Sequence, residues 1–73
     1  MITIGDAIDR DVLRIRHDFL DLPALVLTAA QTARLHALST EHAKALLESL
    51  VLEGFLMRLA EGSYARRDRV TFA

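Results

Sequence analysis

Residues 39–44, Ser-Thr-Glu-His-Ala-Lys, set two hydroxyls, a carboxylate, an imidazole and an ammonium within six positions. Hydroxyl and ammonium groups bond phosphate oxygens, and an ammonium also reaches the acceptors on a guanine edge. An imidazole can donate to a base edge or to a phosphate. A carboxylate can accept from a cytosine amino group when cations surround it. A second set, Arg58, Arg66, Arg67 and Arg69, supplies guanidinium groups suited to phosphate. The candidate binding residues are therefore Ser39, Thr40, Glu41, His42, Lys44, Arg58, Arg66, Arg67 and Arg69. Each set has a plainer use as well. Glu41 favours a helix start through the dipole, and Lys44 with Glu48 can form an exposed i, i+4 pair worth about 0.3–0.5 kcal/mol. Arginines on a terminal strand also protect an edge against aggregation.

No catalytic constellation accompanies them. The chain has no Ser/His/Asp set, no Gly-rich phosphate loop and no run of metal-ligand spacing, so neither an enzymatic activity nor a cofactor is expected. His17, His36 and His42 are scattered, and Asp18 and Asp21 beside His17 read as a solvated helix face. With zero cysteines, a disulfide framework and a zinc finger are both excluded.

Length and charge bound the rest. The 73 residues suffice for a single domain, and one this small needs a dense core or an oligomer to be stable. An apolar share of 52% supplies the material for such a core. Net charge is −1, and its distribution matters more than its sum. Residues 1–38 carry four Arg against five Asp, and residues 39–56 carry Lys44 against Glu41, Glu48 and Glu53. Residues 57–73 carry Arg58, Arg66, Arg67 and Arg69 against Glu61 and Asp68, so positive charge collects near the C-terminal end. The opening residues, MITIGDAIDRD, are acidic where a signal peptide would be basic. No apolar run approaches the roughly 18 residues of a membrane span. A soluble, cytoplasmic protein is expected, nucleoid-associated if it binds DNA.

The elements that must position these side chains follow from periodicity. Ile8, Val12, Ile15, Phe19 and Leu22 recur at helical spacing and predict a helix over 6–22, with Asp6 as its cap and Pro23 as its stop. "ALVL" (24–27) is a brief strand candidate. Thr28 and Gln31 form a capping box that opens a helix over 29–36. Ser39 caps a third helix over 40–53, whose apolar face is Ala43, Leu46, Leu47, Leu50 and Val51 and whose left-handed stop is Gly54. Residues 55–70 then read as a hairpin turning at "AEGS". The result is a mainly α chain with a small β-hairpin, a single three-helix winged helix-turn-helix domain over 1–73.

Leu27–Thr28, Gln31, Leu38–Ser39, "LESLVLEGFL" (47–56) and "GSYAR" (62–66) together resemble the small bacterial winged helix-turn-helix proteins, most of which lack an assigned function. The lead-in "FLDLPALVLT" resembles them too, and the likeness covers more than half the chain. It implies that the third helix is the reading helix, turning Thr40, Glu41, His42, Lys44, Ala45 and Glu48 toward the major groove, while the wing touches the backbone or the minor groove. It implies close helix contact at Ala33 and Ala43, a plug at Leu38, and Tyr64 covering the core edge. Two residues depart from the pattern. Ala37 stands where glycine is usual, at a cost of about 1 kcal/mol if that residue must be left-handed. His36 stands at a usually apolar position and reads as a partly buried wall of the core.

The functional expectation is a DNA-binding protein acting on double-stranded DNA as a dimeric transcriptional regulator or accessory factor. The acidic third helix supports an alternative, a winged-helix protein–protein interaction module that does not bind DNA. One protomer offers about 3–4 usable cations, and affinity follows the number of neutralised phosphates. Useful DNA binding therefore calls for a homodimer or a neighbouring domain. Leu13, Leu20, Leu25 and Val26, together with Val70 and Phe72, are the apolar residues left over for a partner.

Overall fold

The computed structural model describes residues 4–69, with side chains from 10 to 68. Val70 and Phe72 lie outside the described residues. Three helices and a three-stranded antiparallel sheet follow one another in the winged helix-turn-helix layout.

Helix α1 (Ile4–Asp21) begins two residues before the expected cap, so Asp6 lies within the helix and does not cap it. Ile15 and Phe19 are fully buried and Val12 packs against them, so the apolar stripe does face the core. Leu22 departs from that stripe and is exposed. The helix has ended at Asp21, the Leu22 N–H donates to the Asp18 carbonyl at 3.1 Å, and Pro23 turns the chain away.

β1 (Val26–Thr28) runs directly into α2 (Ala29–His36). The Thr28 hydroxyl accepts from the Gln31 N–H at 3.1 Å, and the Gln31 side chain accepts from the Thr28 N–H at 2.9 Å. The reciprocal capping box thus joins strand to helix without a loop. The buried Thr32 hydroxyl is satisfied by donating to the Thr28 carbonyl at 3.0 Å.

α2 ends on Ala37, which is left-handed at φ 54° and ψ 44°. The Leu38 N–H then reaches back to the Ala33 carbonyl at 2.9 Å. An alanine performs a glycine's task at this turn, and its Cβ is strained against the backbone. Ala37→Gly should therefore stabilise the fold by about 0.5–1 kcal/mol, the relief of strain outweighing the added freedom of the unfolded chain. A rise in the urea midpoint at unchanged slope checks this, whereas a fall would show that the αL strain is smaller than the unfolded-chain freedom that glycine adds.

Ser39 caps α3 (Thr40–Leu52), its hydroxyl accepting from the His42 N–H at 3.1 Å. Ala43, Leu46, Leu47 and Leu50 are buried, Val51 is half-buried, and Ala33 across the turn is buried too. Gly54 is left-handed at φ 84°. Phe55 and Gly54 donate to the carbonyls of Leu50 and Val51 at 3.1 and 3.0 Å, the paired bonds of a Schellman stop.

β2 (Leu56–Arg58) and β3 (Ser63–Arg66) form the wing, turning at Leu59–Gly62 with Gly62 at φ 87°. β3 also pairs with β1, so the sheet order is β1-β3-β2 and the hairpin's second strand becomes the centre of a small sheet. That places Leu27 opposite Tyr64, both buried, with Leu56 in the same cluster beneath α3. Strand pairing stops at Arg66. Arg67–Arg69 form a short 3-10 turn, so the second strand of the hairpin expected over 55–70 stops short of Arg67 and Arg69. Leu25, which the sequence leaves spare, is half-buried against the core. Among the described residues, no helix is long and apolar enough to cross a membrane.

Candidate nucleic-acid interface

The inner face of α3 is buried, so its outer face is fixed by helical phase. Ser39, Thr40, Glu41, Lys44 and Ala45 are all exposed on or beside its first turns. Thr40, Glu41 and Lys44 have no side-chain partner among the described residues. The Ser39 hydroxyl is already engaged by the His42 N–H.

His42 is placed differently. Its Nε2 lies 3.3 Å from the Asp11 Oδ2 on α1, and the ring is half-buried. It thus ties α3 to α1 rather than standing among the open side chains. His36 behaves alike: its Nε2 lies 2.6 Å from the Asp18 Oδ2, with the imidazole only 10% exposed. Asp18 is therefore not part of a solvated face beside His17; it holds α2 to α1. Asp11 and Asp18 are seven residues apart and so share a line on α1, each meeting one helix of the pair. Sequence spacing shows that line but not which histidines would meet it.

The wing arginines divide. Arg58 stands directly across from Tyr64, and its Nε lies 3.5 Å from the Glu48 Oε2. The same carboxylate oxygen accepts from the Tyr64 hydroxyl at 2.6 Å. Glu48 is thus engaged by the wing and not by Lys44 one turn before it, because the docked sheet brings a buried hydroxyl within its reach. Burial, then the bond to Glu48 and its negative charge, push the Tyr64 phenol up to about 12, against a smaller opposing effect of Arg58. The cluster fixes the wing to the outer edge of α3.

Arg66 is largely withdrawn from solvent. It donates to Asp68 through Nε at 3.0 Å and through a terminal nitrogen at 2.6 Å, and it stacks 5.8 Å from the Phe55 ring centre. Arg16 of α1 stacks on that ring at 5.0 Å and pairs with Glu53 at 2.6 Å. Phe55 therefore joins α1 and the wing through two guanidinium stacks. Arg67 is exposed with no ion pair among the described residues. Arg69 ends the 3-10 turn, and its side chain is outside the described set.

The eight candidate residues whose side chains are described do not form one cationic surface. Lys44 and Arg67 are open, Arg58 is partly neutralised, Arg66 is neutralised by Asp68, and Ser39 and His42 are engaged within the fold. Such an arrangement can contact phosphate at a few points and can hydrogen-bond through Thr40. It lacks the continuous charge for tight sequence-independent binding by one protomer. The described residues contain no group of His, Asp and Glu that could hold a metal ion. Comparison of the chain with family models, with curated proteins and with solved structures gives no match.

Proposed function

We propose that this protein binds double-stranded DNA through the N-terminal half of α3 and the wing, as a dimer serving as a transcriptional regulator or accessory factor. The observation that supports this most is the division of α3 into two faces. Ala43, Leu46, Leu47 and Leu50 are buried, while Thr40, Glu41, Lys44 and Ala45 stand open. A small side chain at Ala45 and short polar groups at the first turn leave a low surface able to approach base edges. Lys44 and Arg67 supply phosphate contacts, with Arg58 as a weaker third. Two to three contacts correspond to a salt slope of about −2 to −3 per protomer, and a second protomer doubles it.

The ion pairs Arg58–Glu48 and Arg66–Asp68 favour a second reading, a winged helix that binds another protein. They balance the wing's charge internally and make it less suited to a polyanion.

Fluorescence anisotropy with a mixed-sequence duplex at low salt separates the two. Under the DNA reading, Arg67→Ala weakens binding on every sequence and lowers the magnitude of the salt slope by about 1. Lys44→Ala weakens binding and changes sequence preference. Arg66→Ala has the smaller effect of the two wing variants, because Asp68 and Phe55 already hold that guanidinium. Absence of binding at low salt removes the DNA reading in favour of the protein-interaction one.

A further inference from the structure

α1 carries two stripes. Val12, Ile15 and Phe19 face the core, and Leu13 and Leu20 leave the opposite side at 53% and 44% exposure. The two leucines are seven residues apart, hence on one line about 10 Å long, with His17 exposed between them. Arg14 and Asp21, both exposed, lie next to that line on the same flank, again seven residues apart. Neither enters an ion pair among the described residues. The opposite flank carries Arg16, which is already held by Glu53 and Phe55.

We propose that α1 pairs antiparallel with α1 of a second copy of this chain, Leu13 packing on the partner's Leu20 and Arg14 pairing with the partner's Asp21. The pattern of charge decides both the occupant and the direction. When Leu13 is set against the partner's Leu20, the two-fold axis passes between residues 16 and 17. Arg14 and the partner's Asp21 then differ by only about 3 Å along the helix, within reach of an arginine. In an antiparallel pair like flanks meet, so the basic position of each chain finds the acidic position of the other, twice by symmetry. In a parallel pair that flank would meet the one bearing Arg16, where the cation is engaged and Arg14 would find no acid among the described residues. His17 comes beside its own copy at the axis. α3 packs on the inner side of α1, so this pairing leaves both reading faces uncovered. The assignment deepens the DNA-binding proposal, on which its purpose rests, while the association itself is measurable without DNA.

Sedimentation equilibrium of the full chain tests it at concentrations up to about 1 mM, high enough for a weak two-leucine contact. The wild type should associate as a dimer. Leu13→Glu and Leu20→Glu should each raise the dimer dissociation constant at least about tenfold, a change of 1.4 kcal/mol, with unchanged circular dichroism because both side chains are exposed. His17→Leu completes the seam and should tighten the dimer. Arg14→Asp and Asp21→Arg should each weaken it, and the double exchange should restore it. A wild type that stays monomeric, or a dimer indifferent to both leucine variants, overturns the α1 contact. Failure of the double exchange to restore association overturns the antiparallel direction. A dimer without DNA binding leaves this assignment standing and removes the DNA reading, and DNA binding by a strict monomer does the reverse.

Discussion

Phe19→Ala is expected to remove a large part of the domain's stability at 25 °C. Phe19 is fully buried between α1 and the helix-turn-helix, in the cluster that holds Leu46, Leu47, Leu50 and Tyr64. Truncating a buried phenylalanine costs about 3–5 kcal/mol, part transfer and part cavity. A chain of this length has about 4–11 kcal/mol in total. The polar contacts that also hold α1 cannot make up the loss. Arg16–Glu53 is a pair between partly exposed side chains, 31% and 52% open, and such pairs contribute about 0–1 kcal/mol. Urea unfolding followed by circular dichroism should show a loss of at least about 3 kcal/mol for Phe19→Ala and less than about 1 for Arg16→Ala. Equal effects of the two variants would mean that α1 is held by its charges rather than by its apolar stripe.

Tyr64→Phe is expected to remove most of the alkaline sensitivity of the fold. The folded protein keeps the phenol proton to about pH 12, whereas the unfolded chain releases it near pH 10. A raised folded value means that the tyrosine's contribution is whole below pH 10 and is lost as pH rises toward 12, by up to about 2–3 kcal/mol. The cause is chiefly burial, reinforced by the 2.6 Å bond to Glu48 and that residue's negative charge. Tyr64 is the chain's single tyrosine and Lys44 its single lysine, and Lys44 is exposed, so the assignment is clean. Urea midpoints from pH 8 to pH 11.5 should fall for the wild type and stay nearly level for Tyr64→Phe. At neutral pH the variant should be about 1–3 kcal/mol less stable, since a hydrogen bond to a carboxylate is lost. A wild-type midpoint that is flat across that range would contradict the buried position of the hydroxyl.

The parts of this fold visible in the sequence are those whose cause is local. Thr28 with Gln31, Ser39 and Gly54 each act on backbone groups within a few residues, so their types and spacing suffice to place α2 and α3. The same holds for the open side chains of the candidate site. Once Leu46, Leu47 and Leu50 define the inner face, helical phase places Lys44 and Glu41 outside. What spacing cannot show is which charges cancel. Asp11 meets His42 across 31 residues, Asp18 meets His36 across 18, and Tyr64 meets Glu48 across 16. Each pairing depends on how helices and sheet dock. Glu48 illustrates the point: its local partner at i−4 is Lys44, yet a buried hydroxyl and Arg58 engage it instead. Arg67 is a smaller instance. Its type suggested a continuing strand, but pairing stops at Arg66 and the chain tightens into a 3-10 turn. Asp6 shows the limit at the other end, where helix geometry extends back to Ile4 past a good capping residue.

In the proposed complex, DNA lies against the first turns of α3 and the wing. Amide chemical-shift mapping of the ¹⁵N-labelled protein, titrated with a mixed-sequence duplex at low salt, tests it residue by residue. Saturable shifts should concentrate at Ser39–Ala45 and at Arg58–Arg67 and fade as salt is raised, with Leu13 and Leu20 unmoved. Shifts confined to α1, or a spectrum unchanged by duplex at low salt, would contradict it.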